Sequence, residues 1–583
     1  MQQRELNELI AAKDEDPPAL VVAVCTRAQE PSVLGLAGWA QAAGTPLVTV
    51  ALEATGAQLG PLSLPGRPGC AHCAQLRIRA AAAFSGPSAA GEALPEEREL
   101  VRWVERVLDE ELELACSAPL SSPLLDHVLA LDGTEASEPT RHCVVPLPDC
   151  PVCGGARALA EQGEDDADPL AGWVDPLTGV IPALQVDQAE GSGLPAVVTA
   201  APPHVIEEDG SLRAMPAGWG KGLTLADALR SAVGETIERY SASLPDPARL
   251  VWARPGNLDG EHLDPRGFPL YRADQYERPD FPYVAFDPDA RHPWVLGRWL
   301  SGGEGEVWIH ALFAFLAMTV GPENLICQGS SNGLAASTDW DDAALRAVLE
   351  LVERDAMMTS WLTGEPAVRI GPDSSLEPAF RTIVEQIEAL GAAVELYLLP
   401  SSVCGATALC LALGDGAEWP GADVALAADL DPAAAVRKSL LELGQTGPYL
   451  RELLISERVD PPERETDVRT MLDHATYYFL RARAGAFGFL RAAGDAVSFQ
   501  ALAAWEGERS LDACASALER VGIRVALVDV TAADVATGPF RVVRAVSPDL
   551  QPISHGYGCD RVPVERIRAR ADTADAPAIH PIW

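Results

Sequence analysis

The sequence has no long hydrophobic run. Its strongest apolar stretch, Ile309 to Val320, is interrupted by His310 and falls short of the roughly 18–20 residues a membrane-spanning helix needs. Basic charge is scarce too: Lys plus Arg number 44 against 84 Asp plus Glu in 583 residues, a formal net charge of −40. So acidic a surface repels phosphate backbones and anionic lipid, which sets nucleic acid and membranes aside as partners. The start, MQQRELNELIAAKDEDPP, is polar and acidic where a secretory signal needs a basic lead and an apolar core. A cytoplasmic location is therefore expected. Cysteine, at 12 residues, is too thin for a disulfide scaffold, so its spacing is read as metal or redox chemistry. Glycine-rich phosphate loops are missing as well. Around Lys221 a P-loop would need glycine at position 215 and Ser or Thr at 222, where Met215 and Gly222 stand, and no GxGxxG follows a strand.

What is present reads as an ordinary globular chain, 48% hydrophobic and 22% charged, long enough for two to four domains at about 150 residues each. Near the start, an apolar run (Ala19 to Cys25), a helix-like run (Val33 to Gly44) and a second apolar run (Pro46 to Ala54) spell a βαβ unit. A Gly/Pro-rich stretch and CAHC follow, then a Glu-rich helical pattern over Glu96 to Ala115 and a second CxxC. The charge run Glu161 to Pro169 reads as a linker, or else as a solvated loop within one domain. As a linker it divides the chain into 1–168 and 169–583. Beyond it, strand-like and helix-like segments alternate to the end.

Cys70, Cys73, Cys150 and Cys153 form two CxxC pairs about 75 residues apart. Each pair presents two thiolates, and two pairs complete a closed tetrahedral Zn²⁺ site of structural type. Two unrelated pairs or a redox dithiol are the alternatives. His72 and Cys143 are taken as bystanders. Cys25, Cys116, Cys327, Cys404, Cys410, Cys514 and Cys559 stand in apolar contexts and are expected to be buried thiols.

Three segments echo one another. Ser231, Glu235 and Glu238 share a helical face at i, i+4 and i+7, with Arg239 at its edge. Arg346, Glu350 and Glu353 repeat the spacing, followed by Arg354, and Glu442 and Gln445 repeat it more faintly. Apolar flanks suggest packed helices whose carboxylates meet in one place. Carboxylates gathered so closely need cations between them, and an all-oxygen set with Arg and Gln nearby suits Mg²⁺ and phosphate. Three solvated faces laced by salt bridges would give the same pattern.

The blocks GKGLTLADALRSAVGETIERY, SSNGLAASTDWDDAALRAVLELVERDA and KSLLELGQ resemble the hallmark blocks of YcaO proteins, from about Val174 to the C-terminus. The resemblance implies a large α+β domain that binds ATP and Mg²⁺ without a P-loop. Carried over, it places Lys221, Ser231, Glu235, Glu238, Arg239, Asn332, Glu350, Glu353, Arg354, Glu442, Gln445 and Arg451 around the nucleotide, with Glu235, Glu238, Glu350 and Glu353 on Mg²⁺. The N-terminal stretch through CAHC resembles the latter half of a ThiF-type, ubiquitin-activating-like α/β fold with its zinc knuckles. That fold's nucleotide-binding half is absent.

Such a fusion resembles the cyclodehydratases of ribosomal azol(in)e peptide biosynthesis. In these a Cys, Ser or Thr of a precursor peptide attacks the preceding amide, ATP phosphorylates the amide oxygen, and a thiazoline or oxazoline forms. Only about 18 polar residues precede the first strand, so a separate leader-binding protein is expected; a flavin dehydrogenase and a homodimer are further expectations of the resemblance. Family members commonly end in a PxPxP-like tail. Here PAIHPIW keeps Pro581 but replaces its neighbouring alternate prolines by Ile579 and Trp583. The expectation is that the Trp583 carboxylate acts as a base and Pro581 stiffens its approach. Thioamide or macroamidine formation, and a non-catalytic scaffold role, remain the alternatives.

Overall fold

The computed structural model describes residues 20–583 apart from 27–29, 53–55, 86–104, 107–108, 110–116, 133–138, 160–171, 208–210, 372, 402, 493–495 and 572–578. The polar start, most of the helix expected over Glu96 to Ala115, and the whole Glu161 to Pro169 run lie outside the described residues. Two compact units emerge. The first comprises 1–185, 200–218 and 532–539, and the second comprises 186–199, 219–531 and 540–583. The first unit thus takes in 169–185, 200–218 and 532–539 from beyond the expected 168/169 division.

In the first unit, five strands lie in chain order: Val21–Thr26, Leu47–Leu52, Gly56–Ser63, His127–Asp132 and Thr140–Cys143. The first two are parallel, with Val21 opposite Leu47, because the Glu30–Ala43 helix crosses between them. The other pairs are antiparallel. Within the Gly/Pro-rich stretch, Gly60 and Pro61 lie inside a strand and not in a loop. The register shifts between Val48 and Val50 opposite them, and such an irregularity tolerates a proline that has no N–H to donate. Leu36, Ala37 and Ala40 of the helix bury against Ala23 and Leu47. On another part of the sheet, Val48, Val50, Leu59 and Leu129 form a second core.

The second unit has two larger sheets. One runs Val251–Ala253, His292–Ser301, Val525–Asp529, Arg541–Val546, Leu334–Ser337, with Glu306–His310 paired to His292–Ser301. The other runs Asp423–Asp429, Ala406–Leu413, Ala393–Leu399, Val368–Gly371, Ala496–Ser498. The three echoing segments fall on three helices, Leu225–Ala242, Trp340–Thr363 and Pro432–Ile455. Each starts at a capping side chain: Thr224 accepts from the Asp227 N–H, Asp339 from that of Asp342, and Asp431 from that of Ala433. The Trp340–Thr363 helix buries Ala343, Ala347, Val348 and Val352 against Val525, Leu527 and Val543, which leaves its polar stripe for other work. Among the described residues no helix is long and apolar enough to cross a membrane.

Candidate functional site

Lys221 lies on the strand Trp219–Gly222, between two glycines. A Cβ on Gly220 would stand 2.1 Å from both the Ala228 carbonyl oxygen and the Ala232 nitrogen. Only glycine lets the strand press this closely on the Leu225–Ala242 helix. The Lys221 ammonium pairs with the Glu442 carboxylate of the Pro432–Ile455 helix. Burial pushes its pKa down to about 8, against the pull of Glu235 and Glu353.

A cleft of about 420 Å³ opens here. Lys221, Ser231, Glu350, Glu353, Arg354 and Glu442 line it, so all three echoing helices contribute. Glu353 accepts the Ala428 N–H at 2.9 Å and pairs with Arg354, whose guanidinium also lies 3.6 Å from Glu350. Glu235 accepts the Trp219 N–H at 2.6 Å and pairs with Arg239. Glu238 lies deep beside Glu350 and Glu235; burial first, then their repulsion, raises its carboxyl well above the usual range. Burial likewise lifts Glu350 to about 7, reinforced by Glu353 and opposed by Arg354. The site is thus short of positive charge, and a divalent cation among these carboxylates is what would let them ionise together.

Of the buried donors without a hydrogen-bond partner among the described residues, three bear on this site: Asn332 Nδ2, Arg354 Nε and Arg451 Nε. All belong to residues that the sequence placed around a nucleotide, and unpaired buried donors suit phosphate oxygens. Carboxylates for a hard cation and free donors for an anion together fit a metal–nucleotide complex.

Other expected residues stand elsewhere. Asn332 lines a narrower cavity of about 70 Å³, which shares Arg354 with the cleft. Gln445 donates its side-chain amide to the Trp219 carbonyl at 2.7 Å and so holds the Lys221 strand. Ile582 and Trp583 form part of the cleft wall, and the Trp583 ring stacks on Tyr449 at 5.9 Å. Pro581 lies in the same tail. His292 and His310 are buried together, with a ring nitrogen of each 3.4 Å apart. Cys559, expected to be buried, is half-exposed, because it sits in the loop after Gly556 and Gly558 and not on an apolar strand.

Two side chains escaped the reading by motif. Arg544 is buried on the strand Arg541–Val546, where its guanidinium donates to the Phe313 and Ser330 carbonyls at 2.9 and 2.7 Å. Burial lowers its pKa to about 10, while Glu350 and Glu238 pull it back up, so it is a fixed countercharge to the carboxylates. The signal was an arginine inside RVVRAV, otherwise a buried strand pattern. Lys438, one turn before Glu442, also lines the cleft and pairs with Asp429 at 2.8 Å.

In the first unit Cys70, Cys73, Cys150 and Cys153 are all buried, their sulfurs within 4.8 Å of one another. Cys70 and Cys150 approach to 3.8 Å, Cys73 and Cys153 to 3.7 Å. A tetrahedral ion bonded to sulfur at about 2.3 Å spaces its ligands by roughly 3.8 Å, so the cluster could hold a metal. Gly155 (φ +65°) shapes the second turn; a Cβ there would meet the Leu147 carbonyl oxygen at 2.4 Å.

A family model described as YcaO cyclodehydratase, ATP- and Mg²⁺-binding, matches residues 219–551. An uncharacterized protein of Methanothermobacter thermautotrophicus is 26% identical over 273 residues, 46% of this chain and 66% of that relative, so the chain spans just under two thirds of it. A solved heterocyclase in complex with substrate and cofactor shares the fold at a TM-score of 0.74 and 17% identity, over 95% of this chain and 80% of that one. The heterocyclase TruD does so at 0.62 and 19%, over 95% and 78%. With more than half its length inside the family model, the chain belongs to the YcaO cyclodehydratase family.

Proposed function

We propose that the chain is an ATP- and Mg²⁺-dependent peptide cyclodehydratase that turns Cys, or Ser and Thr, of a ribosomally made precursor peptide into thiazolines or oxazolines. The observation that carries this reading is the gathering of Glu235, Glu238, Glu350 and Glu353 beside Arg354, whose Nε is unpaired, with Lys221 in the same cleft. Bound Mg²⁺ and ATP would supply a transferable phosphoryl group and the positive charge the carboxylates lack.

In this reading the four glutamates hold Mg²⁺. Lys221, Ser231, Asn332, Arg354 and Arg451 face the nucleotide, while Arg239, Glu442 and Gln445 fix the groups that do. The peptide's own side chain is the nucleophile toward the preceding amide carbonyl, and phosphorylation of that oxygen makes it a leaving group. The protein's share is then orientation, charge stabilisation and exclusion of water. The tail with Pro581 and Trp583 lies at the cleft wall and helps to position the peptide's nucleophile. Residues 1–168 serve as a ThiF-like scaffold in which the four thiolates hold a structural Zn²⁺, and 169–583 do the chemistry.

The test is mass spectrometry of a candidate precursor peptide incubated with the chain, a leader-binding partner, ATP and Mg²⁺. Loss of one water per modified residue with matching phosphate release, both abolished in Glu350→Ala, is the expected result. Exchange of oxygen for sulfur, or a single macrocyclic crosslink, would replace azoline formation by thioamide or amidine chemistry.

A further inference from the structure

Three histidines meet around the tail. His474 lies on the helix Met471–Thr476, His555 in the loop at Ser554–Gly556, and His580 in the tail itself. Their ring centroids are 4.3 Å (His474–His580), 5.3 Å (His474–His555) and 5.8 Å (His555–His580) apart. Each ring holds backbone. His474 Nε2 accepts the Gly556 N–H at 3.0 Å, which leaves Nδ1–H to donate to the His580 carbonyl at 2.8 Å. His580 Nε2 lies 2.8 Å from the Ser554 carbonyl, and the His555 ring hydrogen-bonds the Ile582 backbone. Tyr478 adds its hydroxyl to the Ile579 carbonyl.

We propose that His474, His555 and His580 are positioning residues, a latch that holds Ile579–Trp583 against the cleft where a tail with a single proline would not hold itself. Proline fixes φ and lowers the entropy lost on ordering, and this segment has only Pro581. The rings replace stiffness by hydrogen bonds, from His474 to the His580 carbonyl, from His580 to the Ser554 carbonyl, and between His555 and the Ile582 backbone. The acceptor role of His474 Nε2 needs a neutral ring, and burial disfavours charge on all three. It lowers His474, takes His555 down to about 3 and holds His580 well below the usual value. The charged groups that face the cluster are Arg354, which opposes protonation of His555 and His580, and Asp473, which favours that of His474.

What the tail does in turnover rests on the cyclodehydratase reading; the latch does not, since hydrogen exchange measures it without turnover. Deuterium uptake of residues 579–583 is to be followed in the full chain, together with calorimetric binding of a nonhydrolysable ATP analogue and Mg²⁺. His474→Ala is expected to speed tail exchange about tenfold, the loss of roughly one buried hydrogen bond, with nucleotide affinity unchanged. His474→Asn keeps a donor at the Nδ1 position and is expected to restore protection, whereas His474→Gln does not. Should the alanine variant fail to fold, the Asn and Gln variants decide. Tail exchange equal to the parent's in His474→Ala, or equal in the Asn and Gln variants, overturns the proposal. So does a loss of tail protection that always accompanies a matching loss of nucleotide binding.

Discussion

Gln445 donates to the backbone carbonyl of Trp219 at 2.7 Å, two residues before Lys221. One helix thereby sets the height of the strand that carries the cleft's lysine. Replacing Gln445 by Leu leaves that carbonyl unpaired and is expected to cost about 1–3 kcal/mol. Calorimetric titration with ATP analogue and Mg²⁺ should show affinity weakened roughly tenfold or more, with circular dichroism unchanged.

Glu350 and Glu238 make the nucleotide-free protein sensitive to pH. Their folded pKa values lie above those of the unfolded chain, so their contribution to stability is complete below about pH 4.3 and is lost as pH rises. For Glu350 the loss runs up to about 7. Melting curves across this window should show stability falling as pH rises, restored by Mg²⁺ with an ATP analogue. Glu350→Gln should flatten the slope.

Arg544 is a buried countercharge to Glu350 and Glu238. Arg544→Met removes the positive charge that Glu238 and Glu350 face and two bonds to the Phe313 and Ser330 carbonyls. Breaking a buried charge network from one side costs about 3–5 kcal/mol, so chemical denaturation should report a loss of that size. A change below about 1 kcal/mol would mean that the carboxylates are neutral at the pH of the experiment.

The four-cysteine cluster predicts about one zinc per chain by elemental analysis, and Cys73→Ser should abolish it. Stripping the metal with a chelator should lower the first melting transition by about 10 °C or more, since ligand binding and folding are linked in such sites.

The histidine latch loosens in acid. A histidine held neutral by burial stabilises the fold fully above its unfolded pKa of about 6.5, and that contribution is lost as pH falls below it. Tail exchange, corrected for its intrinsic pH dependence, should rise as pH falls below about 6.5 in the parent, for the His555 contribution down to about 3, and less in His474→Asn.

Much of the site was legible because local rules govern its parts. The i, i+4, i+7 spacing of Ser231, Glu235 and Glu238, and its echo at Glu350 and Glu353, can serve one face only if those segments are helices, and they are. Two CxxC pairs in Gly-rich turns allowed a four-thiol cluster, and the sulfurs do converge. Arg544 was hidden because nothing in RVVRAV tells which side chain turns toward Glu350 and Glu238, 194 and 306 residues away.

The sequence by itself determined the elements and their chemistry: periodicity and capping residues act within a few positions, so helices, strands and ligand-bearing turns follow from neighbours along the chain. Tertiary structure alone decided which faces meet. It set Lys221 against Glu442, gave Gln445 to a backbone carbonyl and returned residues 532–539 to the first unit, where Asp534 pairs with Arg77 at 2.6 Å. It also gathered His474, His555 and His580 around one tail. Those meetings depend on long-range packing, whose partners are chosen by the summed burial of whole elements and not by any local pattern.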